Sequence, residues 1–571
     1  MVHRVLESDV FVRRIVRETL RLELGDYERR RRLDGLVRAS RLLAVCRAWR
    51  SIVGAYVGSH LVLRMRREPK QSRLRMIART SPRALLGGRA RGHTAEAGGA
   101  ALRCQTNIPL AVRLGVSRVK TIVFVVHGAL DSAQVAACIE ASRFCRQPWP
   151  AARALHVELH AGSDDGPPPH ATACSLERIV HAVLEHAPFM ASLAVTQSKP
   201  VAAASTLSLA LAFGGLCSQL RRVDVDDGVL CTGIPTTLAS LTALTLALEP
   251  GLAPERLAGI AASPLQRLGL LNADEADLAA IFCTAPRGAF DELRELAVSL
   301  RVRTVGTGDA PPSPARRPRT GAARLAFPRL AMASISGFRQ AVPAALLQAV
   351  AAAPVRSLSL DATIRNAAEA DIRRMAQLRR LEVLVPYHDD VQAVLDAVFA
   401  GPPSLLAVSI TTQSPLRGLL PDAARLAGLR RLRIDTLVQL EGVWRALQQL
   451  PRLVLLEAKV ARRPEPTDEG EQASLDDVRA AVLRAAPTPA GSLQVLDICH
   501  RVPLCTPVGA PTRLGAEIVA RAAAIPTLRR LGYRVATAAL RAMLAALARD
   551  AAVAAHAPHL RAVDVCTTRL R

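Results

Sequence analysis

The chain has 571 residues, a formal net charge of +26 and 3% aromatic residues. This length exceeds that of one compact core, so it indicates several domains or an array of repeats. Charged residues interrupt every apolar run before about 20 residues, so we expect neither a transmembrane helix nor a secretory leader. The composition therefore predicts a cytoplasmic or nuclear protein with no membrane partner.

The excess of basic residues is almost entirely arginine. Lysine occurs only at Lys70, Lys120, Lys199 and Lys459. The arginines are dispersed in short clusters, of which 64–79 is one, and few aromatic residues could stack on bases. Nucleic acid is therefore a possible partner but not the favoured one. The eleven cysteines form no C-x-x-C pair, which is typical of reduced, mostly buried thiols.

The first 65 residues have the pattern of a small helical domain. Ser8 can cap a first helix. The apolar face of that helix comprises Val12, Ile15, Val16, Thr19 and Leu20. The apolar face of a later helix comprises Leu42, Val45, Cys46, Trp49, Ile52 and Val53. Residues 66–105 are basic and then rich in Gly and Ala, which predicts a linker.

From residue 106 to the end, a phrase of the form Leu-x-x-Leu-x-(Leu/Val/Ile) recurs. The clearest copies begin at Leu220, Leu241, Leu265, Leu293, Val355, Leu378, Leu405, Leu429, Leu453, Leu493, Leu528 and Leu560. Most steps between Leu220 and Leu453 are roughly 21–28 residues, the spacing of leucine-rich repeats. More degenerate copies are "VKTIVF", "LHVELH" and "MASLAV".

Ala- and Leu-rich helical stretches lie between the phrases, for example "ADEADLAAIF", "PAALLQAVAAAP" and "HDDVQAVLDAVFAG". Each unit is therefore predicted to be a strand followed by a helix. No single unit closes a core, so the units must stack. The consensus asparagine of such repeats is mostly missing, and Asn272 is one near-match. Residues 303–324 and 461–475 are rich in Pro, Gly and charge, which predicts disordered inserts.

The N-terminal residues resemble an F-box, and the body resembles the irregular leucine-rich domain of fungal-type F-box proteins. The matching positions are Leu6, Val10, Ile15, Leu20, Leu42, Val45, Cys46, Arg47 and Trp49. The segment "VCRAWR" carries most of the resemblance, whereas Glu7 stands where the family has proline. The fold class this implies is α/β: a leucine-rich-repeat-like solenoid of strand–helix repeats preceded by a small α-helical F-box-like domain.

The resemblance also implies a function. F-box proteins are substrate receptors of cullin–RING ubiquitin ligases, in which the F-box docks on the linker subunit and the repeats hold a protein substrate. Trp49 would then be an aromatic anchor within the F-box helices and at their docking face. The alternative is a leucine-rich scaffold outside the ligase system that binds protein or RNA.

The concave face of the array is the expected substrate-binding surface. Its outward strand positions are predicted to be Arg222, Asp224, Arg294, Glu295, Arg380, Glu382, Arg431, Arg433 and Asp497. These positions mix both signs of charge, which favours a protein partner over a uniform phosphate surface. A one-residue error in register would move every side chain to the other face.

No catalytic constellation is predicted. "HVELH" at 156–160 lacks the spacing of a helical zinc-protease motif, and it alternates as a strand does. We therefore expect His156, Glu158 and His160 to form a solvated face, with Asp164 and Asp165 as remote candidates for a metal site. Phosphate loops and nucleophile elbows are absent from the sequence. We expect no enzyme activity, no metal and no cofactor.

Overall fold

The computed structural model describes most of the chain beyond residue 59. The described residues are 60–68, 101–106, 119–127, 132–143, 149–160, 175–197, 205–210, 220–234, 240–249, 254–261, 263–283, 285–286, 288–301, 325–337, 342–361, 372–385, 404–412, 426, 428–438, 444, 447–460, 475–484, 492–500, 513–533 and 537–566. Two compact units divide the chain, Met1–Phe290 and Asp291–Arg571.

The first unit is built on a mainly parallel sheet. Its strands are β1 (His60–Glu68), β2 (Ala101–Thr106), β3 (Thr121–His127), β4 (Ala154–His160), β5 (Ser192–Gln197), β6 (Ser205–Ser208), β7 (Arg222–Val225), β8 (Val229–Gly233), β9 (Ala243–Leu248) and β10 (Arg267–Ala273). The spatial order β1, β3, β4, β5, β7, β9, β10 is parallel throughout. β2 pairs antiparallel with β1, and β8 joins β6 to β9.

Helices follow several of these strands. They are α1 (Ser132–Arg143), α2 (Ser175–His186), α3 (Pro254–Ala261) and α4 (Glu275–Phe282). In α2 the residues Leu176, Ile179, Val180 and Val183 are buried, which is the spacing of one helical face. α4 begins at a capping box in which Asp274 Oδ1 accepts the Asp277 amide at 2.9 Å and Asp277 Oδ2 accepts the Asp274 amide at 3.0 Å.

The second unit is a parallel sheet whose strands pair in chain order. The strands are β11 (Glu295–Leu300), β12 (Met332–Ser336), β13 (Ser357–Asp361), β14 (Arg380–Val385), β15 (Ala407–Thr412), β16 (Arg431–Val438), β17 (Leu455–Val460), β18 (Val495–His500), β19 (Arg530–Tyr533) and β20 (Asp564–Cys566). Each pairs with the next from β11 to β20.

The helices of the second unit are also short. They are α5 (Ala344–Ala352), α6 (Leu475–Arg484), α7 (Arg513–Ala523), α8 (Thr537–Arg549) and α9 (Ala551–His556), with 3₁₀ turns at Ile372–Arg374 and Pro558–Ala562. Among the described residues, no helix is both long and apolar enough to cross a membrane. This unit is a solenoid of strands and short helices, the arrangement that the leucine-rich phrases predict.

The repeated phrase explains the strands that contain it. In the copy at Leu429, the side chains of Leu429, Leu432 and Ile434 are all buried, so the first leucine fills the turn and the next two face the core. The residue before each strand supplies a carbonyl to the following repeat: Leu406 O accepts the amides of Arg430 at 2.9 Å and Arg431 at 3.0 Å. One turn therefore fixes the register of the next strand.

Every clear copy of the phrase lies on a strand, and so do the three degenerate copies, on β3, β4 and β5. The helical stretches "ADEADLAAIF" and "PAALLQAVAAAP" become α4 and α5, whereas "HDDVQAVLDAVFAG" lies outside the described residues. Asn272, the penultimate residue of β10, has a left-handed backbone conformation (φ 55°). Its Nδ2 donates a hydrogen bond to Asp227 O at 3.2 Å.

Two strands lie at the ends of the segment predicted to be a linker. β1 and β2 extend into the predicted linker and pair with each other, and β1 also pairs with β3. The first residues of the chain, 1–59, lie outside the described part, so the F-box-like prediction falls there. The predicted insert at 303–324 also lies outside the described part, and so does the one at 461–475 apart from its last residue.

Candidate binding face of the second unit

The strands of the second unit present rows of side chains on the face opposite the core. We call the residues that open the strands the first row; from β13 to β19 these are Ser357, Arg380, Ala407, Arg431, Leu455, Val495 and Arg530. The residues two positions later form the middle row: Ser359, Glu382, Ser409, Arg433, Glu457, Asp497 and Gly532. Residues between the rows, such as Leu381 and Leu432, are buried.

Ion pairs connect residues of the middle row to each other and to residues two positions further along the strands. Arg433 Nε lies 3.5 Å from Glu457 Oε2, and Arg433 Nη2 lies 4.0 Å from Asp435 Oδ2. Asp435 also pairs with Lys459. Their side chains are 20–36% exposed, so the network faces solvent and contributes little to stability. The network does, however, hold charges of both signs in defined positions on this face.

A bulge positions Asp435 within this network. The pairing of β16 with β17 shifts between Ile434 and Leu437. Asp435 and Thr436 therefore have no partner in the ladder with β17, and the carboxylate of Asp435 pairs with Lys459 on that strand.

Asp497 is the most buried acid of the middle row, at 6% exposed. Burial raises the pKa of its carboxyl, the nearby Arg530 guanidinium lowers this pKa, and the Glu457 carboxylate raises it. Its Oδ1 has no hydrogen-bond partner within the described residues. A buried, unsatisfied acceptor on an open sheet face is a point where a donor from another molecule would be stabilised.

The structure distributes the predicted site residues over both units. Arg380, Glu382, Arg431, Arg433 and Asp497 occupy the first and middle rows. Arg294 precedes β11, and Glu295 is the residue in the register of the first row. Arg222 and Asp224 lie on β7 of the first unit, paired to each other at 3.1 Å.

The predicted F-box face lies outside the described residues. It comprises Leu6, Val10, Ile15, Leu20, Leu42, Val45, Cys46, Arg47 and Trp49. Four charged residues of this face were not predicted: Glu457, Asp435 and Lys459 of the ion-pair network, and Arg530 beside Asp497. The phrases "LRRLGY" and "LVLLEA" carry enough signal to locate Arg530 and Glu457, whereas the bulge at Asp435 has no such signal.

The prediction of a solvated face at "HVELH" is wrong at two of three positions. Glu158 is 3% exposed and His160 is 8% exposed. His160 Nε2 lies 3.8 Å from Glu158 Oε2, and the His160 ring stacks on His127 with 4.9 Å between centroids. This strand is covered on both faces. In the described part of the chain, no group of three or more ligand-type side chains could hold a metal.

The described cysteines include two fully enclosed thiols, Cys138 and Cys231. Burial, with a smaller effect from the Glu177 carboxylate, raises the pKa of Cys231 to about 12. That thiol is therefore protonated at neutral pH and is a poor nucleophile.

Neither a family model nor a curated protein matches this chain. Among solved structures, it is similar to TLR13 in complex with ssRNA13, at 11% identity and a TM-score of 0.27, over 74% of this chain and 68% of that one. It is also similar to the leucine-rich-repeat ectodomain of the plant receptor kinase GASSHO1/SCHENGEN3 from Arabidopsis thaliana in complex with CASPARIAN STRIP INTEGRITY FACTOR 2. That match has 12% identity and a TM-score of 0.26, over 79% of this chain and half of that one.

The fold class of the second unit follows from its own strands. Parallel pairing in chain order, the buried leucine phrase and the short helices define a leucine-rich-repeat-like solenoid in the second unit. Its distinguishing feature is an open sheet face with charges of both signs.

Proposed function

We propose that the chain is a non-catalytic binding scaffold whose second unit holds a protein partner on its open sheet face. The observation that carries this proposal is the middle row, where Glu382, Arg433, Glu457 and Asp497 occupy successive or near-successive strands in register. Charges of both signs in fixed positions suit a protein surface, which presents both signs in return.

The buried carboxylate of Asp497 gives this face a specific feature. Its unsatisfied Oδ1 would accept a hydrogen bond from a lysine, an arginine or an amide of the partner. A partner group that supplies that bond offsets the desolvation of the carboxylate, whereas one that lacks a donor leaves it unpaired. Asp497 would therefore contribute specificity as well as affinity.

We propose further that this scaffold is a substrate receptor of a cullin–RING ubiquitin ligase. The support is the F-box resemblance of residues 1–65, centred on Cys46, Arg47 and Trp49, followed by a repeat solenoid in the order that F-box proteins have. The N-terminal segment would dock on the ligase's linker subunit, and the open face would hold the substrate.

The test is co-purification of the full chain with the linker subunit, wild type against Trp49→Ala. We expect the wild type to bind and the variant to lose at least about tenfold in affinity, because an aromatic anchor at an interface can contribute about 2 kcal/mol or more. Phe189→Ala is the matched control, because Phe189 is half exposed in the first unit.

Binding that survives Trp49→Ala with a folded chain would contradict the role given to Trp49. Failure of the wild type to bind the linker subunit would contradict the ligase assignment and leave the scaffold proposal to its own test. That test compares the proteins captured by the wild type with those captured by Glu382→Ala/Arg433→Ala. A partner lost only in the double variant would support the open face.

A further inference from the structure

Arginine is concentrated at one edge of the second unit. At that edge we count two residues for each strand. One is the residue before the strand, whose carbonyl accepts one or two amides of the next repeat, and the other is the first residue of the strand. Eight of these positions between β11 and β19 are arginine, and we call them the arginine strip: Arg294, Arg356, Arg379, Arg380, Arg430, Arg431, Arg529 and Arg530. All eight side chains are exposed.

The strip is weakly compensated. At the same positions from β11 to β20, the acidic residues are Glu295 and Asp564. Arg380 and Arg431 form no ion pair with any described residue, in contrast to Arg433, which is paired with Glu457 and Asp435. The guanidinium groups of Arg380 and Arg431 are therefore available to an anionic molecule, whereas that of Arg433 in the middle row is already engaged, and Arg530 lies near the Asp497 carboxylate.

The dimensions of the strip fit an extended chain. Neighbouring strands lie about 4.8 Å apart, so the eight steps from β11 to β19 cover roughly 40 Å. An extended polypeptide of about a dozen residues has that length. Arg379 and Arg380 lie two strands from Arg430 and Arg431, roughly 10 Å, which is within reach of carboxylates spaced along such a segment.

The residues between the arginines favour a polypeptide over a nucleic acid. Met332 and Leu406, which interrupt the strip, are 44% and 36% exposed and could contact aliphatic side chains. No residue at these opening positions from β11 to β20 is aromatic, so nothing there would stack on bases. The acids Glu382, Glu457 and Asp497 lie two residues further along the strands, where they would repel the phosphates of a wider polymer.

We infer that the arginine strip binds an acidic, extended segment of the protein partner, which lies across the amino ends of the strands. This inference rests on the proposed function, because it names the chemistry of part of the partner held by the same unit. The strip would supply charge attraction and faster association, and the middle row would supply specificity.

The experiment measures fluorescence anisotropy of the full chain with a labelled peptide of alternating Glu and Ser, and with a single-stranded RNA of matched length. The variants are Arg380→Glu/Arg431→Glu and the milder Arg380→Gln/Arg431→Gln. The matched control is Arg484→Glu/Arg549→Glu, which makes the same change in net charge on exposed positions of α6 and α8.

We expect the peptide to bind the wild type, and the Glu double variant to lose about tenfold or more in affinity. The Gln variant should lose less, and the helix control should stay within about twofold, because its charges lie away from the strip. Circular dichroism of each variant checks that it is folded.

Three results would overturn the inference. Equal losses in the strip and helix variants would mean that net charge alone binds the peptide. Tighter, strip-dependent binding of the RNA would assign the strip to nucleic acid. No binding of the peptide by the folded wild type would refute the role given to the arginine strip. The co-purification test of Trp49 and the capture test of the middle row do not depend on that result, so the two proposals can fail separately.

Discussion

The buried carboxylate of Asp497 lowers the stability of the folded chain, although it can accept a hydrogen bond from a partner. Folding raises the pKa of its carboxyl mainly through burial, so the folded state prefers the protonated form. The stability that this preference contributes is present below the ordinary aspartate pKa, about 3.9, and is lost as pH rises through the raised pKa of the folded state. At neutral pH, the buried carboxylate therefore destabilises the chain relative to a neutral isostere.

Asp497→Asn should accordingly raise the free energy of unfolding at pH 7 by about 1 kcal/mol. The gain should shrink as pH falls through the raised pKa of the folded state and should be absent below about 4, where the wild-type carboxyl is protonated in both the folded and the unfolded chain. Chemical denaturation at both pH values measures this difference. Glu382→Gln is the control, because Glu382 is exposed in the same row. An equal gain at both pH values would argue against the protonation effect.

Individual elements of the solenoid meet at close backbone contacts. Gly337 follows β12, and a Cβ added there would collide with Leu300 of β11. The Gly337 amide also donates to Asp361 Oδ2 on β13 at 3.1 Å, so the backbone at this turn is held from the next repeat as well. A side chain at this position would force two neighbouring repeats apart.

Gly337→Ala should therefore lower the free energy of unfolding by about 1–3 kcal/mol, the usual cost of overfilling a close-packed site. Ser336→Ala is the matched control, because it removes one long hydrogen bond, Oγ to Val298 O at 3.4 Å, and adds no atom. Urea denaturation of both variants gives the comparison. A loss for Gly337→Ala no larger than that for Ser336→Ala would show that the turn can open at little cost.

The regular elements were predictable because the leucine phrase repeats the same burial at the same positions. β12 was not predicted, because Ala333 replaces the second leucine of its phrase, which begins at Leu330. The buried Glu158 and His160 were misjudged because strict alternation suggested one solvated face. The neighbouring run "TIVFVVH" in β3 is apolar on both faces, and this was the available signal that the strand is buried on both sides.

The candidate site was predictable in part for the same reason. Arg380, Glu382, Arg431 and Arg433 follow from the register of the phrase, which is uniform from β13 to β16. The Asp435–Lys459 pair could not be found in this way, because it depends on a bulge in β16. Burial of Asp497 depends on neighbours from other repeats, which no local pattern specifies.

The net charge of +26 is not spread evenly over the molecule. Part of it lies in the arginine strip, on one edge of one unit, whereas the middle row carries three acids and one arginine. Raising the salt concentration should therefore weaken association through the strip more than binding at the middle row, since exposed charges are screened first. The general basicity of the chain and its recognition of a partner are separable properties.

The pairing of β11 to β20 in strict chain order also has a mechanical consequence. Each strand is held by the repeats before and after it in the chain. Under tension applied between the ends of the chain, the second unit should unravel one repeat at a time, with no single rupture. A repeat of about 24 residues would release roughly 80 Å of chain, so optical-tweezers traces should show a staircase of steps near that length. One large extension covering the whole unit would indicate that the repeats break together.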